Sequence, residues 1–526
     1  MNKPIYSYNE RKVETRLVQA FRKRGSEATV ADLIGATSLP RLQIEEMLPR
    51  IVQDYRGHLR VTESGEILYY FPHGVHHRER STKARIQRGL RRFARGAAAV
   101  GRVLFKVWIM LMLVGYFVLF IALVIAALLA SAAASAKSEG RSRGRGGLGG
   151  TYMLTRLVQQ IIFLWMFSGR RNQYGAYGNR MSPQGRMHVE EMSFRKMRSQ
   201  GDGPPLHQSV FAFVFGSEDP TKEWETRERQ AFIQLVQTHK GVVTLEELRA
   251  LTGRSLDDAQ DLMNSMMLEY DGEPDVTEAG SLIYRFPELL RTAQPSDRRG
   301  GSLGKLLPEM PTIPFNTNTP ALNRWIAVLN GVNLGFGSYF TVFGFMGGLP
   351  EEGFGLFYSI VVTMAAEILA APFTVVLIGL GFVPLLFSLL FYLIPLIRSR
   401  RLKARNASIK SRNARRAVFQ EVLNTVSSGT EVVDAQDIVH SADNSREKTA
   451  LLSAFEELAA EQHADVGTEV PMDAGEPGFT ATGADGEGYQ YRFTELRRQL
   501  QDVERYRDSI DLERYRTGEV VFDSNE

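Results

Sequence analysis

VTESGEILYYFP, Val61–Pro72, and VTEAGSLIYRFP, Val276–Pro287, lie in one chain of 526 residues, and their likeness decides how the rest is read. Working outward, residues 10–72 align with residues 225–287 without a gap, at a constant offset of 215. Leu17, Val18 and Phe21 match Phe232, Ile233 and Val236, and Leu33 matches Leu248. Met47, Leu48, Ile51 and Val52 match Leu262, Met263, Met266 and Met267; Tyr55 matches Tyr270, and Gly57 matches Gly272. The apolar positions recur every three or four residues and then, after the glycine, alternate; this is the spacing of helices followed by a β-hairpin. Thr29 and Thr244 stand where an N-cap opens a short second helix, and Gly65 and Gly280 where a tight turn joins two strands. A third, gapped copy follows near the C-terminus. YRFTELRR from Tyr491 matches YRFPELLR from Tyr284, AVFQEV from Ala417 matches AFIQLV from Ala231, and Leu451, Leu452, Phe455 and Leu458 supply a buried helical stripe.

Three helices and a two-stranded wing in about 65 residues resemble the winged-helix variant of the helix-turn-helix. That resemblance implies a third helix available for DNA, so its charge is the test. RLQIEEMLPRIVQDY sets Glu45, Glu46 and Asp54 against Arg41 and Arg50, and LDDAQDLMNSMMLEY carries Asp257, Asp258 and Asp261 with no base. The third copy adds Glu456, Glu457 and Glu461. Affinity for DNA comes mainly from Lys and Arg neutralising phosphates, so acidic third helices oppose it and favour protein contact. Glu45, Glu46, Asp257, Asp258 and Asp261 are therefore candidate interaction residues.

The apolar segments place the chain in a membrane. Val107–Ala133 is uncharged over 27 residues, where spanning needs about 20. Thr151–Ser168 is a marginal partner because of Arg156, Gln159 and Gln160. Trp325–Ile397 divides into a glycine-rich piece to Gly347 with Asn330 and Asn333, a piece from Phe354 to Ala371 with Glu367, and a long apolar piece from Phe373. Modules of one kind without disulfides share one aqueous compartment, so an even number of crossings separates each pair. The expectation is a hairpin before the second module and two crossings before the third, with Trp325–Gly347 re-entrant or interfacial, because its glycines and asparagines weaken a lipid-exposed helix. Basic runs at Arg78–Arg102 and Arg398–Arg416 put the N-terminus, the three modules and the C-terminus on the cytoplasmic side of a bacterial inner membrane, where they can also meet anionic lipid headgroups. Glu367, Asn330 and Asn333 are the candidate polar residues of the membrane region.

Few chemistries survive. The absence of cysteine excludes disulfides, thiolate metal sites and thiol nucleophiles, and the polar N-terminus MNKPIYSYNERKVETR does not read as a secretory signal. His73, His76 and His77 lack a completing carboxylate, and the glycines of KSEGRSRGRGGLGG follow a membrane helix instead of a strand. Gly301–Leu307 resembles a phosphate loop only at Gly304 and Lys305. No catalytic residues, no cofactor and no metal site are expected, and the chain reads as a non-enzyme.

SVFAFVFGSEDP, Ser209–Pro220, alternates Phe211, Phe213 and Phe215 like a half-buried strand; it is expected to pack on the second module or to offer an adaptor surface. VFGSEDP ahead of the VTEAGSLIYRFP wing, with membrane helices on both sides, resembles an uncharacterised bacterial polytopic membrane-protein family with relatives in photosynthetic organisms. That likeness supplies no activity, and the lack of cysteine contradicts any iron-sulfur role for this chain.

The fold class expected is an α-helical membrane protein with three small α+β winged-helix-like cytoplasmic domains. These occupy residues 1–76, 209–290 with the phenylalanine strand, and 417–500. Linkers fill 77–102, 171–208, 291–323 and 398–416, membrane regions 103–170 and 324–397, and a tail 501–526. The function expected is a scaffold or adaptor contacting unknown proteins or itself, against a transporter or channel component and a membrane-tethered nucleic-acid binder.

Overall fold

The computed structural model describes residues 8–24, 27–72, 74–75, 82–138, 205–293, 306–346, 355–440, 445–470, 478–480 and 490–524. It is mostly helical, with three small antiparallel sheets, and divides into two compact units. One comprises Met1–Ser81, Asp219–Ile313 and Ala404–Glu526; the other comprises Thr82–Glu218 and Pro314–Lys403.

In the first unit, α1 (Glu10–Arg24), β1 (Glu27–Ala28), α2 (Val30–Thr37), α3 (Arg41–Tyr55), β2 (His58–Thr62) and β3 (Ile67–Tyr70) form one helix–hairpin region. The same order returns as α6 (Trp224–Thr238), β4 (Val242–Val243), α7 (Leu245–Thr252), α8 (Leu256–Tyr270), β5 (Glu273–Val276) and β6 (Leu282–Arg285). From β1 onward, each element of the second region starts 215 residues after its counterpart. Local chemistry explains the agreement. Thr29 and Thr244 each close a capping box with the third residue of the helix, Asp32 and Glu247. Gly65 and Gly280 turn the hairpins at φ of 80° and 91°. Gly57 and Gly272 lie against phenylalanine rings, Phe71 and Phe286, where a Cβ would come within 2.7 and 2.3 Å of ring carbons.

The third region starts with the end of a long helix, α11 (Pro372–Ser427), and continues through β7 (Val432–Asp434), α12 (Ala435–His440), α13 (Ser445–Glu461), β8 (Asp465–Val470), β9 (Gly478–Thr480) and β10 (Gln490–Arg492). Leu451, Phe455 and Leu458 of α13 are buried with Val418, Phe419 and Val422 of α11. Two expected boundaries move. α14 (Thr494–Ser509) runs unbroken through residue 500, and β11 (Val520–Asp523), expected in a tail, pairs antiparallel with β2 of the first region. Part of the expected linker 291–323 is strapped to α11: Asn413 and Asn406 each donate to and accept from the backbone, at Met310 and at Ile313.

The second unit holds α4 (Thr82–Ser138), α5 (Leu206–Phe215), α9 (Pro320–Met346), α10 (Leu356–Ala366) and the start of α11. Among the described residues, three helices are long and apolar enough to cross a membrane: Val100–Ala130 within α4, Pro320–Met346 and Pro372–Ser427. Trp325–Met346, within the stretch expected to be re-entrant or interfacial, lies in a 27-residue helix. Its glycines permit close helix contact. A Cβ on Gly337 would lie 2.8 Å from the Leu385 backbone nitrogen, and one on Gly381 would lie 2.9 Å from that of Thr341. The short piece is α10, 11 residues long. The other expected crossing, Thr151–Ser168, lies outside the described residues, as do Gly144, Gly146, Gly149 and the histidines of HGVHH.

The phenylalanine stretch is also corrected: Leu206–Phe215 is a helix that starts after Pro205 and ends at Gly216, not a strand, and it belongs to the second unit. It packs on α4 and α9. Phe211 and Phe215, one helical turn apart, both approach Phe105, and Phe213 stacks on Phe391 at 5.5 Å.

Candidate functional site

The three helix–hairpin regions of the first unit meet through two contacts, each at the capping carboxylate of a short helix. In the first contact, the α2 cap meets the segment following β6. Thr29 Oγ1 donates to the Arg291 carbonyl at 2.9 Å, and the Ala293 amide donates to Asp32 Oδ2 at 3.0 Å. Arg291 also pairs with Glu66 of the first hairpin turn. Behind the cap, Tyr270 donates to the Ser38 carbonyl, and Arg41 reaches Asp271 at 2.7 Å and Glu288 at 3.3 Å.

The second contact shares one position with the first. Glu247, the counterpart of Asp32, receives Arg507 of α14 at 2.6 and 2.8 Å, and Thr277 of the second hairpin donates to Asp502. His239 Nδ1 lies 3.0 Å from Glu247. Burial works against the Glu247 charge, but Arg507 and His239 outweigh it and hold the carboxyl down at about 2. Along the adjacent helices, Arg412 donates to the Thr252 carbonyl and pairs with Glu228, and Gln420 donates to the Ala250 carbonyl. Arg249 is fully buried over the Phe419 ring, 4.3 Å from its centroid, and pairs with Glu461.

The expected interaction residues fall into two groups. Glu45 pairs with Arg41, and Glu46 accepts from Tyr8, whose hydroxyl is pushed up to about 12 by burial and by that carboxylate. Asp257, Asp258 and Asp261 are exposed on one side of α8, with Leu268 74% exposed farther along the helix. Phe211 and Phe213 are partly buried against the apolar helices, leaving Phe215 exposed.

The membrane candidates separate. Asn330 and Asn333 are fully buried and tie α9 to its neighbours, donating to the Ser388 carbonyl at 3.1 Å and to the Leu113 carbonyl at 2.7 Å. Their Oδ1 atoms and the Ser388 hydroxyl have no hydrogen-bond partner. Glu367 is exposed at the end of α10 and is not brought to either asparagine by any described contact. An apolar recess of about 660 Å3 between α4, α10 and α11 is lined by residues such as Leu111, Leu123, Val361 and Leu380. Among the described residues no group of three His, Asp or Glu side chains is placed to hold a metal.

Sequence reading missed Glu247, Arg507, Glu228 and Arg412. One signal was present: Asp32 and Glu247 occupy the same place three residues after matched threonines, and a carboxylate held at that place in both regions invites a search for its partner.

An uncharacterised chloroplastic protein of Arabidopsis thaliana is 25% identical to this chain over 426 residues, covering 78% of the chain and 72% of the plant protein. The two are distant homologues. No protein-family model and no solved structure matches the chain.

Proposed function

We propose that this chain is a multi-pass membrane scaffold or adaptor, not an enzyme, whose three regions are copies of one winged-helix-like module used for protein contacts. The modules lie on the cytoplasmic side of an inner membrane, beside anionic lipid headgroups. One observation carries the reading: α8, which would enter a DNA groove in a nucleic-acid binder, presents Asp257, Asp258 and Asp261 to solvent and carries no base. Such a helix repels phosphate and suits a basic protein surface.

The full-length protein, purified in detergent, is expected to bring down a protein partner. The triple variant Asp257→Asn, Asp258→Asn, Asp261→Asn is expected to lose at least nine-tenths of that partner while keeping its own yield. Co-purified nucleic acid that leaves steeply with salt would contradict the proposal. The buried, unpartnered oxygens of Asn330, Asn333 and Ser388 favour a second reading, a transporter or channel component. Ion or solute flux in liposomes holding the purified protein alone, lost on Asn333→Ala, would replace the scaffold with that reading.

A further inference from the structure

Glycine disfavours a helix unless a close contact requires it. Gly337 and Gly381 meet that demand where α9 and α11 touch, but Gly115 of α4 and Gly379 of α11 do not: a Cβ on either would meet nothing within 4 Å. Both line the apolar recess between α4, α10 and α11. These two glycines therefore keep a space open instead of closing two helices together. Around Gly379 the backbone is wound as a π-helix over Val376–Phe382, a rare winding that recurs at functional sites.

The chemistry of the recess is one-sided. Tyr116 is the only lining residue whose side chain carries an oxygen or nitrogen, and no lining residue is charged. Leu111, Leu119 and Ile368, which also line it, are exposed. Gly115 is the middle residue of the span Val100–Ala130, so in a bilayer the recess opens to hydrocarbon and not to water or headgroups. Size then separates the occupants that hydrocarbon surroundings allow. Between residues 111 and 123 α4 rises about 18 Å, and a helix about 10 Å across needs about 1,400 Å3 over that length. The recess offers about 660 Å3. A helix of a second copy, or another helix of this chain, could sit only on its rim, whereas a hydrocarbon chain, a single row of carbons that pack at about 4 Å, enters it.

The geometry points to a lipid site: one acyl chain of a bilayer phospholipid lies along α4 in this recess, with its headgroup outside. Dispersion contacts with three helices hold that chain more firmly than the free bilayer does. The inference rests on the reading of α4, α9 and α11 as membrane spans, and needs neither the likeness of the three regions nor the protein partner proposed for α8.

Native mass spectrometry of the full-length protein, extracted in mild detergent from phosphatidylcholine vesicles, tests this. The wild type is expected to retain one phosphatidylcholine per chain. Gly115→Leu and Gly379→Leu, which fill the recess from two different helices, are each expected to lower the retained lipid at least tenfold with unchanged thermal unfolding. Gly335→Leu, equally free of neighbours but outside the recess, is expected to keep it. In the vesicles, a phosphatidylcholine with a diazirine midway along one acyl chain is expected to crosslink to residues lining the recess in preference to the exposed Val328 and Phe345 of α9. A wild type that leaves the membrane without lipid, retention unchanged in both filled variants, or crosslinks spread evenly over the exposed apolar residues would each overturn the inference. So would loss of monodispersity in both filled variants, or crosslinking that joins the recess to a second copy, because protein would then be what fills it. Protein that carbonate washes from the vesicles would contradict the membrane reading itself, whereas membrane-held protein without retained lipid contradicts the lipid site alone.

Discussion

Arg507→Met is expected to destabilise the first unit by about 3–5 kcal/mol, because removing one partner leaves a buried charge uncompensated. Glu247 is 5% exposed, and Arg507 supplies both of its shortest contacts, at 2.6 and 2.8 Å. Replacing both residues with apolar ones, Glu247→Leu with Arg507→Met, is expected to recover much of the loss, since no charge is then left unpaired. Denaturant unfolding in detergent, followed by tryptophan emission, measures both; Trp224 is buried in this unit. The pH dependence carries a second signature. Glu247 is depressed from its ordinary 4.5 to about 2, so its contribution is complete above pH 4.5 and is lost as the pH falls toward 2. In Arg507→Met the carboxyl loses its main counter-charge, burial raises its pKa, and this part of the pH dependence reverses sign.

Gly337→Val is expected to have a comparable effect in the second unit. The first added carbon would stand 2.8 Å from the Leu385 nitrogen and 3.1 Å from its Cα, both backbone atoms that cannot rotate away. Overpacking costs about 1–3 kcal/mol in a yielding core, and a backbone obstacle places this site at or above the upper end. Gly335→Val, two residues away with nothing within 4 Å, serves as the control and is expected to be tolerated. The fraction of monodisperse protein after detergent extraction and its thermal midpoint should fall for Gly337→Val only.

Much of the helix–hairpin architecture was legible because several independent signals agree at one offset. The capping threonines, the turn glycines and the glycines beside Phe71 and Phe286 each express a local steric or hydrogen-bonding demand. The errors arose where local pattern is ambiguous. Phe211, Phe213 and Phe215 alternate as in a strand, but Val210 with Val214 and Phe211 with Phe215 also fit a helix turn, and packing against α4 and α9 decided the outcome. The asparagines of α9 weaken a lipid-exposed helix, and the sequence could not show that each amide finds a carbonyl on a neighbouring helix. The Glu247–Arg507 pair joins residues 260 positions apart, which no window of sequence could bring together. The acidic character of α8 was legible, and the structure adds that its three aspartates face solvent.

The central claim is that three modules share one side of the membrane as parts of one scaffold. The chain has no cysteine, so single cysteines can be placed at Ser64, Asp258 and Ser453, one exposed position in each region. A membrane-impermeant maleimide is then added to sealed vesicles of known orientation, right-side-out and inverted. All three positions are expected to react in inverted vesicles and none in right-side-out ones until detergent is added. Reaction of any one region from the side opposite to the other two would contradict the account.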